Sequence, residues 1–219
     1  MGKIWAPGEQ RISREMEAEL LEKRTYVFDI IERDPGPFLD TKRSLKISGG
    51  VKSWTIYYLI EGYWKYEEYI TSFSQRQRVD VNAYLKLMEG ILLAMEEAEE
   101  KMIMTGSFEI CPETIWYHKE QDQVKFMFVP TLGPLGEPQL WKSCNAPEIL
   151  LRLLSGLKKF DPGFAQRWPL FQKAYGEWKE NHTGLKTCIR QIRSWRKEFP
   201  EDSIGRNRNR YQITMNEIE

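Results

Sequence analysis

The sequence predicts an α+β protein: a small antiparallel β-rich N-terminal subregion followed by a mainly helical C-terminal one. Three observations carry this expectation. Two strand-like runs, the second rich in β-branched and aromatic residues, flank Gly49-Gly50 near the N-terminus. A long amphipathic segment, residues 80–104, separates them from a second pair of short strand-like runs. Beyond the Pro- and Gly-rich stretch 130–138, the apolar residues return to helical spacing.

Taken in order, residues 1–23 read as an N-terminal extension in which ISREMEAELLEK has charged, helical character. TYVFDII (25–31) is a strand or a short helix, which periodicity alone does not separate. Asp34-Pro35-Gly36-Pro37 breaks the chain. RSLKI (43–47) and SWTIYYLIEGYW (53–64) read as two strands, and Gly49-Gly50 is the turn that makes them an antiparallel hairpin. In the segment 80–104, Val81, Tyr84, Leu85, Met88, Ile91, Leu92, Met95 and Met102 recur at three- and four-residue steps. Asp80 stands at the N-cap and Thr105-Gly106 at the stop. SFEI (107–110), ETIWYH (113–118) and QVKFMFV (123–129) follow as strand candidates, the last two joined by the polar turn KEQD. Helices are expected over 146–160, after Asp161-Pro162, and over 184–199. Residues 201–219 read as a polar, flexible tail. The organisation expected is one domain over 24–200, with a β-rich part (24–79) and a helical part (80–200) that carries the 113–129 hairpin.

Composition narrows the function classes. Lys plus Arg and Asp plus Glu both number 32, so the chain lacks the basic excess of a protein built on phosphate backbones. Cys111, Cys144 and Cys188 are odd in number and far apart, which is neither a disulfide framework nor a zinc knuckle, and a cytoplasmic location is expected. No apolar run has signal-peptide or bilayer-spanning length, so no integral membrane segment is expected. Eight Trp and ten Tyr are a heavy aromatic load, fitting core filling first and binding surfaces second.

Few residue patterns promise chemistry. Gly49-Gly50 lacks the frame of a phosphate-binding loop, and no Ser lies in a nucleophile elbow. The two histidines, His118 and His182, are far apart and read as incidental polar residues. The acidic run Glu96, Glu97, Glu99 and Glu100 reads as the solvated end of a helix. One charge cluster stands out: Arg190, Arg193, Arg196 and Lys197 around Trp195, continued by Arg206, Arg208 and Arg210. It offers a possible interaction surface, or simply a solvated helix face and tail.

The helix 80–104 followed by SFEICPETIWY and QVKFMFVP resembles the helix, catalytic loop and metal loop of protein kinases. Pro112-Glu113 and Ile115 match the PEN-I frame, and Val124-Lys125 opens the following strand. The resemblance places Glu109 where kinases carry the catalytic Asp, Cys111 at the catalytic-loop Lys, Thr114 at the metal-binding Asn and Phe128 at the metal-binding Asp. No Lys in WTIYYLIEG could meet nucleotide phosphates. The implied architecture is therefore a pseudokinase, with the charge that stabilises phosphoryl transfer removed. More broadly, VFDIIERDPGPFL, WTIYYLIEGYWKYEEYI, the long helix and PETIWY…VKFMFVP resemble an uncharacterised bacterial domain family usually found N-terminal to forkhead-associated (FHA) modules, with a degenerate kinase-like fold similar to the cytosolic domain of the YukC/EssB secretion proteins. The resemblance implies an FHA module after this domain, and the polar tail to Glu219 is expected to stand in its place.

These readings predict a non-catalytic protein-interaction module of a bacterial envelope-associated or signalling assembly, with no cofactor, an unidentified protein partner, and nucleic acid not expected. Two alternatives stand beside it. One is an enzyme of unassigned mechanism using Glu109 or Cys111. The other is peripheral binding to an anionic surface, nucleic acid or membrane, through the basic cluster at 190–210.

Overall fold

The computed structural model describes residues 10–74, 81–118, 120–132, 146–157 and 184–198, with a few more between 169 and 180. It is a mixed α+β fold with two three-stranded antiparallel sheets and helices packed on them.

The first sheet begins earlier than the sequence pattern implied. Arg11–Glu17 is strand β1, and only Ala18–Glu22, α1, is helical in this region. The acid-rich composition hid a two-residue alternation. Ile12, Arg14 and Met16 lie opposite Tyr58, Ile56 and Trp54 on the core side, while Arg11, Ser13, Glu15 and Glu17 take the other face. The expected N-terminal extension is thus, over these residues, an integral strand. TYVFDII resolves as helix: α2 spans Thr25–Arg33 and buries Val27, Phe28 and Ile31. Its three- and four-residue spacing wins over the β-branched content.

Strands β2 (Thr41–Ser48) and β3 (Val51–Leu59) form the expected hairpin, giving the order β1-β3-β2. Gly49 and Gly50 have φ of 56° and 82°, the paired positive values of a two-residue turn that follows the strand twist. The long second strand expected over 53–64 stops at Leu59. Gly62, with φ of 78°, turns the chain, and Tyr63–Lys65 becomes β4 of a different sheet. Helix α3 (Tyr66–Ser74) follows at once.

The 80–104 segment is helix α4 over Val81–Glu100, and Asp80 lies outside the described residues. Tyr84, Leu85, Met88, Ile91, Leu92 and Met95 are buried as their spacing predicts, but Met102 is 68% exposed. The helix ends before Thr105. Ile103 N–H donates to Ala98 O and Met102 N–H to Glu99 O, a Schellman pair with Met102 in the left-handed position at φ of 62°. SFEI is not a strand. Thr105–Ser107 is a 3₁₀ turn, and Phe108 makes a single bridge to Pro130. Strands β5 (Ile115–His118) and β6 (Gln123–Phe126) form the second expected hairpin, and β4 completes this sheet in the order β4-β5-β6. Hydrogen bonding therefore crosses the division expected at residue 80. Helices α5 (Ala146–Leu157) and α6 (Leu185–Glu198) match the expected apolar stripes. Of the helix expected after Pro162, only a few residues between 169 and 180 are described, and these are helical; the 133–138 loop and the tail 201–219 lie outside the described residues.

One core joins these elements. At its centre Phe28, Phe38, Phe108, Phe126 and Phe128 are all essentially inaccessible to solvent. Their rings meet edge-on or tilted at centroid separations of 5.1–6.4 Å, the arrangement that their quadrupoles favour. Arg43 pins α2 to β2: it donates to Asp29 at 2.6 Å and Glu32 at 2.7 Å and lies over the rings of Phe28 and Trp54.

Candidate functional site

The four positions of the kinase resemblance come together where the turn between α4 and β5 meets the segment leaving β6. Thr114, fully buried, staples that turn. Its hydroxyl donates to Glu109 O at 2.9 Å and accepts from Cys111 N–H at 3.1 Å, and its own N–H donates to Cys111 O at 3.0 Å. A short side-chain hydroxyl competing for local backbone groups is the usual chemistry of such turns. Glu109 N–H then donates to Val129 O at 2.8 Å, which ties the turn to the strand exit, and Arg152 of α5 donates to Ile110 O at 2.9 Å. The Thr114 hydroxyl is thus engaged by backbone groups of the turn, and the Thr114 carbonyl accepts from Met127 N–H at 2.8 Å.

Phe128 occupies the position of the metal-binding Asp in the resemblance, and it is wholly buried. It packs edge-on against Phe28 at 5.2 Å and Phe38 at 5.5 Å, while Tyr58 donates to its carbonyl at 2.8 Å. A divalent cation placed here would lose its hydration without gaining oxygen ligands. Glu109 points outward instead, with its side chain 43% exposed, 3.9 Å from the Arg14 guanidinium of β1. Cys111 is half-buried, and burial together with a hydrogen bond to Glu113 raises its thiol above the free-cysteine range. The Cys111 bond correspondingly holds the Glu113 carboxyl below its ordinary value. The thiol is thus less available as thiolate than an unhindered one, the reverse of what a nucleophile needs.

The basic cluster has a different arrangement. On α6, Trp195 faces the core, and two of the arginines reach a carboxylate on α4. Arg193 Nε donates to Glu89 Oε1 at 2.6 Å and Arg196 Nη1 to Glu89 Oε2 at 2.5 Å. Arg196 Nε also donates to Asn82 Oδ1 at 3.0 Å. Burial alone would raise the Glu89 carboxyl; the two guanidinium groups outweigh it and hold it below the ordinary glutamate value. Arg190 and Lys197 remain exposed on the outer side, with Arg190 bonded within α6 to Thr187 and Lys186 O. Arg206, Arg208 and Arg210 lie outside the described residues.

Glu89 and Asn82 are the residues that motif reasoning passed over. The signal was present: a lone carboxylate inside the apolar run LMEGILL, on the buried side of its helix, requires cations from elsewhere in the chain. A second polar group lies at the end of β5. Tyr117 donates to Asp122, whose other oxygen is 2.6 Å from Lys86 Nζ, and the Tyr117 ring stacks on Tyr69 at 3.9 Å. Its carboxylate and ammonium neutralise one another. His118 faces Tyr63 edge-on and accepts from Gln121 N–H, while His182 and Cys144 lie outside the described residues.

Among the described residues, no three His, Cys, Asp or Glu side chains converge as a metal site, and no helix is long and apolar enough to cross a membrane. Comparison with protein-family models gives no match, and comparison with curated protein sequences gives none either.

Proposed function

We propose that the protein is a non-catalytic binding module of degenerate kinase-like architecture, a cytoplasmic protein that holds a protein partner in an envelope-associated or signalling assembly. The observation that carries this reading is Phe128. At the position that the resemblance assigns to the metal-binding Asp, the chain has a buried ring in contact with other rings. Thr114 supports it by spending its hydroxyl on the turn, and Cys111 supports it by its raised thiol. The enzyme reading would need Glu109 or Cys111 to act as base or nucleophile; Cys111 is disfavoured by its raised thiol, and Glu109 lies exposed beside Arg14. The anionic-surface reading would have to do without Trp195 and compete with Glu89 for Arg193 and Arg196.

The test is a thermal melt of the full chain titrated with ATP and Mg²⁺. The expected result is an unchanged transition. A ligand that bound the native state would add about 2.7 kcal/mol at a hundredfold excess over its dissociation constant. A Mg²⁺-dependent rise growing with nucleotide concentration in that manner would refute the proposal.

A further inference from the structure

Among the described residues, the first sheet leaves a strand edge open along β2, and its chemistry is one-sided. Leu59 N–H donates to Asp40 O at 2.9 Å, and Thr41 lies opposite Tyr58. This fixes the phase of the ladder: even-numbered residues of β2 bond to β3, and the backbone groups of Arg43, Leu45 and Ile47 point away from the sheet. At its start this side is taken by β6, whose Phe126 accepts from Leu39 N–H at 3.0 Å and donates to Pro37 O at 2.8 Å; from Thr41 onward no described strand or bridge pairs with it. The same odd-numbered residues carry side chains on the sheet's core face, which outruns its cover towards the hairpin tip. Thr41 is buried there, but Leu45 is 44% and Ile47 64% exposed, beside a half-buried Trp54.

Charge is uneven as well. From Thr41 to Leu59 the hairpin holds four cations, Lys42, Arg43, Lys46 and Lys52, and no carboxylate, within a chain of zero net charge. Arg43 is engaged by α2, and Lys46 is only loosely paired, 3.8 Å from Glu15 with both groups well exposed. The opposite edge of the sheet differs. There β1 turns outward Arg11, Ser13, Glu15 and Glu17, charges of both signs that blunt strand addition.

We infer that the outer edge of β2 is the docking site, and that its occupant is an extended segment of a partner protein with alternating apolar and acidic side chains. This rests on the binding-module reading and specifies its partner. An added strand would bond to the backbone of Arg43, Leu45 and Ile47, set its apolar residues against Leu45 and Ile47, and turn its carboxylates towards Lys42 and Lys46 on the other face. Lysines along the edge disfavour pairing with a second copy of the same strand while favouring an acidic one.

The test uses the ¹⁵N-labelled full chain and a capped peptide of alternating valine and glutamate, matched to the eight residues of β2. A valine–lysine peptide of equal length is the control. The glutamate peptide is expected to slow amide exchange at Arg43, Leu45 and Ile47 by about tenfold or more, and the lysine peptide not to. Leu45→Pro, which removes only an outward N–H, is expected to abolish the effect with little change in melting temperature. Should that variant not fold, Ile47→Lys and Lys46→Glu carry the test, each weakening binding severalfold. Unprotected amides, equal binding of both peptides, or self-association of the chain through β2 in sedimentation would overturn the inference. Each of these leaves the binding-module reading standing as long as Mg²⁺-ATP gives no stabilisation; stabilisation by Mg²⁺-ATP would remove that reading itself.

Discussion

Replacing Glu89 by Gln changes one atom type and unbalances the contact between α4 and α6. The carboxylate now accepts from Arg193 and Arg196 at 2.6 and 2.5 Å, with its side chain only 10% exposed. A neutral amide offers one oxygen and one NH₂, so one guanidinium would face a donor. A hydrogen bond to a charged group contributes about 1.5–3 kcal/mol. The Arg193 side chain is 53% exposed, so its share falls to the surface scale of about 0.2–1 kcal/mol. Arg196, at 29%, keeps most of its value. The sum is a loss of about 2–3 kcal/mol, which for a chain of this size lowers the melting temperature by about 4–12 °C. Circular dichroism in the near ultraviolet would follow the docking of Trp195, and a cycle with Arg196→Ala would isolate the pairwise part. The pH dependence has a defined sign. Because the folded carboxyl titrates below the unfolded one, the contribution is complete above the ordinary glutamate value, 4.5, and is lost as pH falls through the folded value. Glu89→Gln should therefore flatten the acid limb of the stability curve. A variant melting within experimental error of the parent, with an unchanged acid limb, would refute the clamp.

Met102 occupies a left-handed position that L side chains resist, with its side chain in solvent, so Met102→Gly is expected to raise stability by about 0.5–1 kcal/mol in denaturant titration. A loss of stability would mean that the exposed thioether makes contacts of its own. The raised Cys111 thiol predicts alkylation at neutral pH slower than that of a free cysteine, followed by mass spectrometry of the peptide bearing it, and faster alkylation after Glu113→Gln.

Both hairpins and the apolar stripes of α4, α5 and α6 were legible because each has a single period and clear turn residues. Gly49-Gly50 specifies its turn through two positive φ values, and no tertiary contact is needed to read it. What escaped was set by contacts distant in sequence. β1 is a strand because β3 lies beside it; its glutamates, which favour helix in isolation, simply face solvent. SFEI has strand-like composition, yet Phe108 finds its best burial in the aromatic cluster, and only one bridge forms. In the candidate site, the residue types at Glu109, Cys111, Thr114 and Phe128 could be read directly, but not that Thr114 would hold the turn together. The arginines of α6 looked like a surface because their partner, Glu89, lies more than a hundred residues earlier.

The passage from β3 to β4 has a mechanical consequence. A single covalent connection carries the chain from one sheet to the other, and its swivel is Gly62, where a Cβ would come within 2.5 Å of His118 Nε2. The imidazole, braced from behind by the Tyr63 ring, fills the space that a side chain would take, so this position suits glycine. The same two sheets are also stitched by Leu39 N–H to Phe126 O and Phe126 N–H to Pro37 O, so load applied at the hairpin tip reaches the second sheet through backbone hydrogen bonds as well as through this turn.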